Sequence, residues 1–131
     1  MTPAGEPVRT ALVADDDPDV RELVTFKLEQ AGFQVTAVAD GVHALEAIAD
    51  ALPSIALIDV MMPGLSGIDV VRELRRDPTT RSLPIVLLTA KAQEHDIEAG
   101  FATGADDYVA KPFSPRELLS RVTALMARAG A

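Results

Sequence analysis

The chain alternates between short, almost wholly apolar runs and longer stretches in which apolar residues recur every three or four positions. TALVA (10–14), FQVTAVA (33–39), SIALID (54–59), PIVLLTA (84–90) and DYVA (107–110) read as strands. PDVRELVTFKLEQ (18–30), GVHALEAIADA (41–51), GIDVVRELRR (67–76), AQEHDIEAGFA (92–102) and PRELLSRVTALMARA (115–129) read as helices. Runs such as IALI and IVLL lack the polar alternation of a half-solvated strand, so both their faces are expected to be covered. Five strand–helix pairs with short connections imply an α/β fold: a parallel sheet, right-handed crossovers and helices on both faces.

Capping residues sharpen the boundaries. Asp17-Pro18 places an N-cap acid before a proline at the first helical position, and Ser114-Pro115-Arg116-Glu117 joins an N-cap serine to a capping-box glutamate. Asp40-Gly41 opens the second helix, and Gly32 and Gly104 follow helices as C-terminal stops. On the first helix Val20, Leu23, Val24 and Leu28 are expected to form the buried stripe. Phe26 falls off it and is expected to pack against the fifth helix; a place in a kinase-docking surface is the other reading. Residues 1–8 carry two prolines and a glycine with little to bury and are expected to be a disordered tail. The fold is then expected to occupy residues 9–127. Residues 128–131 close the chain as a tail or the start of a linker to an attached domain.

Composition removes several classes of function. At 131 residues with 48% apolar content, the chain fits one domain. Twenty acidic against 12 basic residues give a net charge of −8, which repels a phosphate backbone, so this domain alone is expected to bind neither nucleic acid nor anionic lipid. The absence of cysteine excludes disulfides, thiolate metal sites and a cysteine nucleophile. No apolar run reaches the ~18 residues of a membrane span, and MTPAGEPV lacks the features of a signal peptide, so a cytoplasmic location is expected.

The chemistry gathers where strands end. In an open parallel sheet, functional groups collect at the C-terminal strand edge, near the point where strand order reverses. There the first strand hands over Asp15 and Asp16, the third ends on Asp59, the fourth on Thr89-Ala90, and the fifth is followed by Lys111-Pro112. An apolar strand that stops on an acid leaves a charge costing several kcal/mol unless it is paired. Oxygen ligands without histidine or cysteine suit Mg2+ or Mn2+, commonly completed by phosphate oxygens. The helix macrodipole accounts for Asp17 and Asp19 without function. It also offers a reading of Asp15 and Asp16, and a capping or loop acid is the plain alternative for Asp59. His43 and His95 fall in helical stretches away from the acids and are expected to be exposed, with no role as ligands.

The ordered pattern VADD, LIDVMMPGLSGIDV, LLTA and DDYVAKPFSPREL resembles the receiver domain of bacterial two-component response regulators, over essentially Arg9 to Met126. The resemblance implies a doubly wound (βα)5 sandwich of the flavodoxin-like type, with strand order 2-1-3-4-5. It implies that Asp59 accepts a phosphoryl group from a phosphohistidine on a sensor histidine kinase or phosphotransfer protein. Asp15, Asp16, Asp59 and the backbone carbonyl of Met61 then hold Mg2+, with Mn2+ as a substitute. Lys111 pairs with the phosphoryl oxygens, and the Thr89 hydroxyl bonds one of them. A cis Lys111–Pro112 bond follows from the same resemblance. Met61 and Lys91 match the positions that flank the hydrolytic water, where their bulk is expected to slow loss of the phosphoryl group.

The same resemblance makes Thr89 and Tyr108 a switch that re-forms the surface of the fourth helix, fifth strand and fifth helix. The C-terminal motif is most similar to receivers of winged-helix DNA-binding regulators, which pair through that surface. Asp107 and Arg121 match an intersubunit salt bridge; Ile97 stands where a basic partner for Glu117 is usual. The implied partners are a kinase or phosphotransfer protein, a downstream effector or fused output domain, and a second copy in a phosphorylation-dependent homodimer. The domain is expected to catalyse only its own phosphorylation and dephosphorylation. An aspartyl phosphatase would carry a second acid two residues after the nucleophile, where this chain has Met61. A phosphorylation-independent interaction module would not need all of Asp15, Asp16, Asp59, Thr89 and Lys111.

Overall fold

In the computed structural model residues 8–90, 98 and 101–129 are described. The elements run β1 (Thr10–Ala14), α1 (Pro18–Gln30), β2 (Gln34–Val38), α2 (Gly41–Asp50), β3 (Ile55–Asp59), α3 (Gly67–Arg76), β4 (Ile85–Ala90), a fourth helix α4 described at residues 98 and 101–103, β5 (Asp107–Lys111) and α5 (Pro115–Ala129). The strands form one parallel sheet in the order β2-β1-β3-β4-β5. The fold is thus the expected α/β doubly wound one.

Successive strand residues point to opposite faces. Leu12, Ala14, Ala56, Ile58, Ile85 and Leu87 meet Ala44 and Ile48 of α2 and Val70, Val71 and Leu74 of α3 on one face. Ala11, Val13, Ile55, Leu57, Val86, Leu88 and Val109 meet Val24 and Leu28 of α1 and Leu118, Val122 and Leu125 of α5 on the other. Central strands buried on both sides are the reason their sequences show no polar alternation. Each fully buried Leu or Ile contributes roughly 1.5–3 kcal/mol, and that surplus lets the same strands carry carboxylates at their ends.

The helix starts follow the expected chemistry. Asp17 accepts from the backbone N–H of Asp19 and Val20, with Pro18 at the first helical position, and Asp40 accepts from that of His43. Gly32 (φ 98°) and Gly104 (φ 123°) end helices in the left-handed conformation. At the start of α5 the Glu117 N–H donates to Ser114 Oγ at 3.0 Å, but the glutamate does not reach back to complete the box; its carboxylate turns toward Arg121, 3.9 Å away. A full capping box forms instead between Ser66 and Asp69 at α3.

Two expectations for α1 are corrected. Val24 and Leu28 alone are fully buried, whereas Leu23 is 41% exposed; it lies one residue, about 100° of helix turn, from the seam that meets the sheet. Phe26 does not settle on α5: it is 53% exposed, with the Lys27 ammonium 5.6 Å from its ring centroid. Residues 1–7 of the expected tail, Lys91, His95, Ile97 and residues 130–131 lie outside the described residues. The last helix runs to Ala129, past the expected domain end at 127. Among the described residues, no helix is long and apolar enough to cross a membrane.

Candidate functional site: an acid cluster at the sheet edge

The chain passes from β1 to β2 on one side and then to β3 on the other, so the strand order reverses at β1 and opens a crevice between β1 and β3. Register brings the expected residues to it. Ala14 pairs with Ile58, which sets Asp15 beside Asp59; Asp59 pairs with Leu88, Thr89 with Ala110, and Ala90 with Lys111. Residues scattered over almost a hundred positions thus meet at one edge because four adjacent strands end there.

Asp15 is fully buried, Asp59 is 5% exposed and Asp16 is exposed. Each of the three offers a carboxylate oxygen within 4.8 Å of those of the others. Lys111 Nζ stands 2.8 Å from Asp15 Oδ2 and 3.5 Å from Asp59 Oδ1. The Asp15 contact lacks hydrogen-bond alignment and leaves that buried oxygen without a hydrogen-bonding donor. Asp59 Oδ1 accepts from the Met61 N–H at 3.3 Å. One ammonium among three carboxylates leaves the edge net negative.

The electrostatics follow from this crowding. Burial, and then the Asp15 charge beside it, push the Asp59 carboxyl up to about 6, against the opposing pull of Lys111 and the Met61 N–H. Burial alone would lower the Lys111 ammonium, but the close negative charges of Asp15 and Asp59 outweigh it and hold it above the ordinary lysine value. An under-satisfied buried oxygen, an exposed carboxylate and a third acid held close to them fit a hard divalent cation. Asp15, Asp16 and Asp59 are the side chains able to hold one.

The other expected residues divide. Thr89 is fully buried, and its hydroxyl donates to the Ala90 carbonyl at 3.3 Å instead of turning to Asp59. Tyr108 is half-buried, edge-on to Phe101 at 5.7 Å and 80°, against the α2/α3 side of the core. Met61 is 56% exposed beside the acids while Met62 is buried. Asp107 and Arg121 pair with each other inside the chain at 3.2 Å. The Lys111–Pro112 bond is cis. His43 is exposed and bound to its own N-cap residue: the Asp40 carboxylate holds its imidazole above the usual histidine range.

Two supports of the site escaped the sequence reading. The Gly67 N–H donates to the Val60 carbonyl, and a Cβ at Gly67 would collide with the Asp59 carbonyl oxygen, so only glycine lets α3 begin against the end of β3. Arg21 donates to the Asp15 carbonyl at 2.8 Å. Its signal in the sequence was a cation near a helix start crowded with acids. A concavity of about 650 Å3 between α2 and α3 is lined by residues such as Leu45, Leu52 and Thr80, and none of the site acids lines it.

Residues 11–123 match the family profile described as response regulator receiver domain. The chain is 45% identical over 120 residues to the phosphate regulon transcriptional regulatory protein PhoB of Escherichia coli (strain K12), covering 92% of this chain and 52% of that protein. It is 47% identical over 117 residues to the DNA-binding response regulator MtrA of Mycolicibacterium smegmatis, covering 89% and 50%. The chain therefore spans about half the length of these relatives. Among solved structures, the Francisella response regulator 1452 receiver domain superposes with a TM-score of 0.82 at 38% identity, over 92% of this chain and 98% of that one.

Proposed function

The chain belongs to the response regulator receiver domain family, and on that premise we propose that Asp59 is the phosphoacceptor of a two-component signalling receiver spanning residues 9–127, with α5 continuing to Ala129. The observation that carries this reading is the meeting of Asp15, Asp16, Asp59 and Lys111 at one strand edge, with Lys111 and the Met61 N–H both set against Asp59 Oδ1.

Asp15, Asp16, Asp59 and the Met61 carbonyl would hold Mg2+, or Mn2+ in its place. When bound, the ion neutralises negative charge on the transferring phosphoryl group. An Asp59 carboxylate oxygen attacks phosphorus as the bond to a donor histidine nitrogen breaks. With its carboxyl at about 6, Asp59 is largely ionised at neutral pH and available as the nucleophile. Lys111 reaches both carboxylates and supplies the fixed positive charge that meets the incoming phosphoryl oxygens. The Thr89 hydroxyl, now turned to Ala90, rotates inward to donate to one of them, and Tyr108 follows into the space beside it. Hydrolysis of the acyl phosphate at the same site, with the exposed Met61 beside the acids, resets the switch.

The proposed donor is a sensor histidine kinase or phosphotransfer protein in the cytoplasm, and the exposed Leu23 and Phe26 offer it an apolar contact. The proposed receiver of the signal is an effector or a fused output domain, in keeping with PhoB and MtrA being about twice this length. Pairing of two copies through α4, β5 and α5 would require Arg121 and Asp107 to exchange their present contact for one across the dimer, and Glu117 to leave Arg121.

Intact mass after incubation with Mg2+ and acetyl phosphate tests the acceptor. The expected result is one added phosphoryl group on the parent and none on Asp59→Ala. Addition to both would move the acceptor elsewhere, and addition to neither, even with a histidine kinase as donor, would refute the reading.

A further inference from the structure

Arg21 is a cation that phosphoryl transfer does not use. It is the fourth residue of α1, close to the end where the helix macrodipole disfavours positive charge. Asp15, Asp16, Asp17 and Asp19 precede it within six residues, yet among the described residues it forms no ion pair with them. Helical side chains lean toward the N-terminus, which carries the guanidinium back over the end of β1. There Nη1 donates to a neutral oxygen, the carbonyl of Asp15, at 2.8 Å.

That choice of partner has two effects on the acids. The Asp15 N–H already donates to the Val38 carbonyl at 3.2 Å, its Oδ1 accepts from the Asp17 N–H at 2.9 Å, and its Oδ2 faces Lys111. Arg21 takes the remaining backbone group and so fixes the peptide plane that joins Asp15 to Asp16. The Asp16 carboxylate is exposed and has no protein partner among the described residues, so this plane decides where it points. A guanidinium satisfied by a carbonyl also leaves the carboxylate oxygens available to an incoming cation.

We infer that Arg21 is a positioning residue for the divalent cation: it holds the Asp15–Asp16 peptide so that both carboxylates face the site. The inference rests on the reading of Asp15, Asp16 and Asp59 as that site. Its two physical effects on a bound dication have opposite signs. The fixed charge repels the ion, weakly in salt, whereas orienting the ligands strengthens binding, and loss of such an orienting partner typically costs about 10–100-fold in affinity. The direction of change on removing Arg21 therefore separates positioning from a bystander charge.

The experiment is calorimetric titration of the 131-residue chain with Mg2+ at constant ionic strength, for the parent, Arg21→Met and Arg21→Lys, with the folded fraction of each checked in metal-free buffer. Arg21→Met is expected to raise the Mg2+ Kd roughly tenfold. Arg21→Lys, which keeps the charge and one donor, is expected to fall between the two. A Kd for Arg21→Met equal to or below that of the parent would overturn the inference. Should that variant not fold, Arg21→Lys decides: a weakened Kd supports the inference and a parental one overturns it. Absence of Mg2+ binding by the parent would overturn the metal-site reading itself and the inference with it.

Discussion

Asp59 stores a cost in the fold that a single substitution releases. The carboxyl is 5% exposed, and burial together with the Asp15 charge moves its pKa from 3.8 to about 6. A group whose pKa is raised by folding favours the protonated folded state. Its full contribution to stability is present below 3.8 and is lost as the pH rises through about 6. At pH 7.5 the ionised carboxylate should cost the metal-free fold about 2–3 kcal/mol. Asp59→Asn keeps the side chain's shape and its acceptor for the Met61 N–H, and Lys111 keeps Asp15 at 2.8 Å.

Urea unfolding followed by far-UV circular dichroism in EDTA, from pH 5 to pH 8, measures the difference. The variant should be the more stable protein throughout, with a margin that widens to about pH 7 and then levels. Mg2+ should stabilise the parent in return, by ~2.7 kcal/mol at a hundred times its Kd, and stabilise the variant much less. A margin that does not change with pH, or a parent more stable than the variant at pH 7.5, would refute the account of Asp59 as a destabilising buried anion.

Other outcomes follow from the same contacts. Lys111→Met removes the ammonium that faces both carboxylates and should slow phosphorylation by acetyl phosphate roughly 100-fold, read as the rate of mass gain. Gly67→Ala drives a methyl group against the Asp59 carbonyl and should destabilise the fold by about 1–3 kcal/mol while also weakening Mg2+ binding. Ser66→Ala, one residue away, should cost about 1 kcal/mol through the lost cap and leave Mg2+ affinity near parental. Arg75 donates to the carbonyls of Gly104, Arg81 and Leu83 and to Asp106, tying α3 to the segments before β4 and β5. Arg75→Ala should therefore cost about 3 kcal/mol in urea unfolding with little change in Mg2+ affinity.

The sequence by itself determined the order and type of the elements, and it did so through physics local to each segment. Asp17-Pro18 and Asp40-Gly41 mark helix starts because an orphan backbone N–H needs a nearby acceptor, and that need is met within three residues. Apolar runs without alternation announced strands covered on both faces, and short parallel connections forced Asp15, Asp59, Thr89 and Lys111 to one edge of the sheet.

Tertiary structure alone decided which partner each side chain takes. Lys111 lies 0.7 Å closer to Asp15 than to Asp59, taking 3.5 less 2.8 Å, and the Thr89 hydroxyl turns to Ala90. Leu23 stays exposed at the margin of a stripe that periodicity assigned to the core, because a hydrophobic pattern gives a helix its inner face but not the reach of what covers it. Arg21 supports the site by donating to the Asp15 carbonyl, and Gly67 by donating to the Val60 carbonyl and leaving room for that of Asp59. Backbone carbonyls are the same in every residue and carry no mark in the sequence. Such contacts appear only once the chain has fixed the distance between the elements that make them.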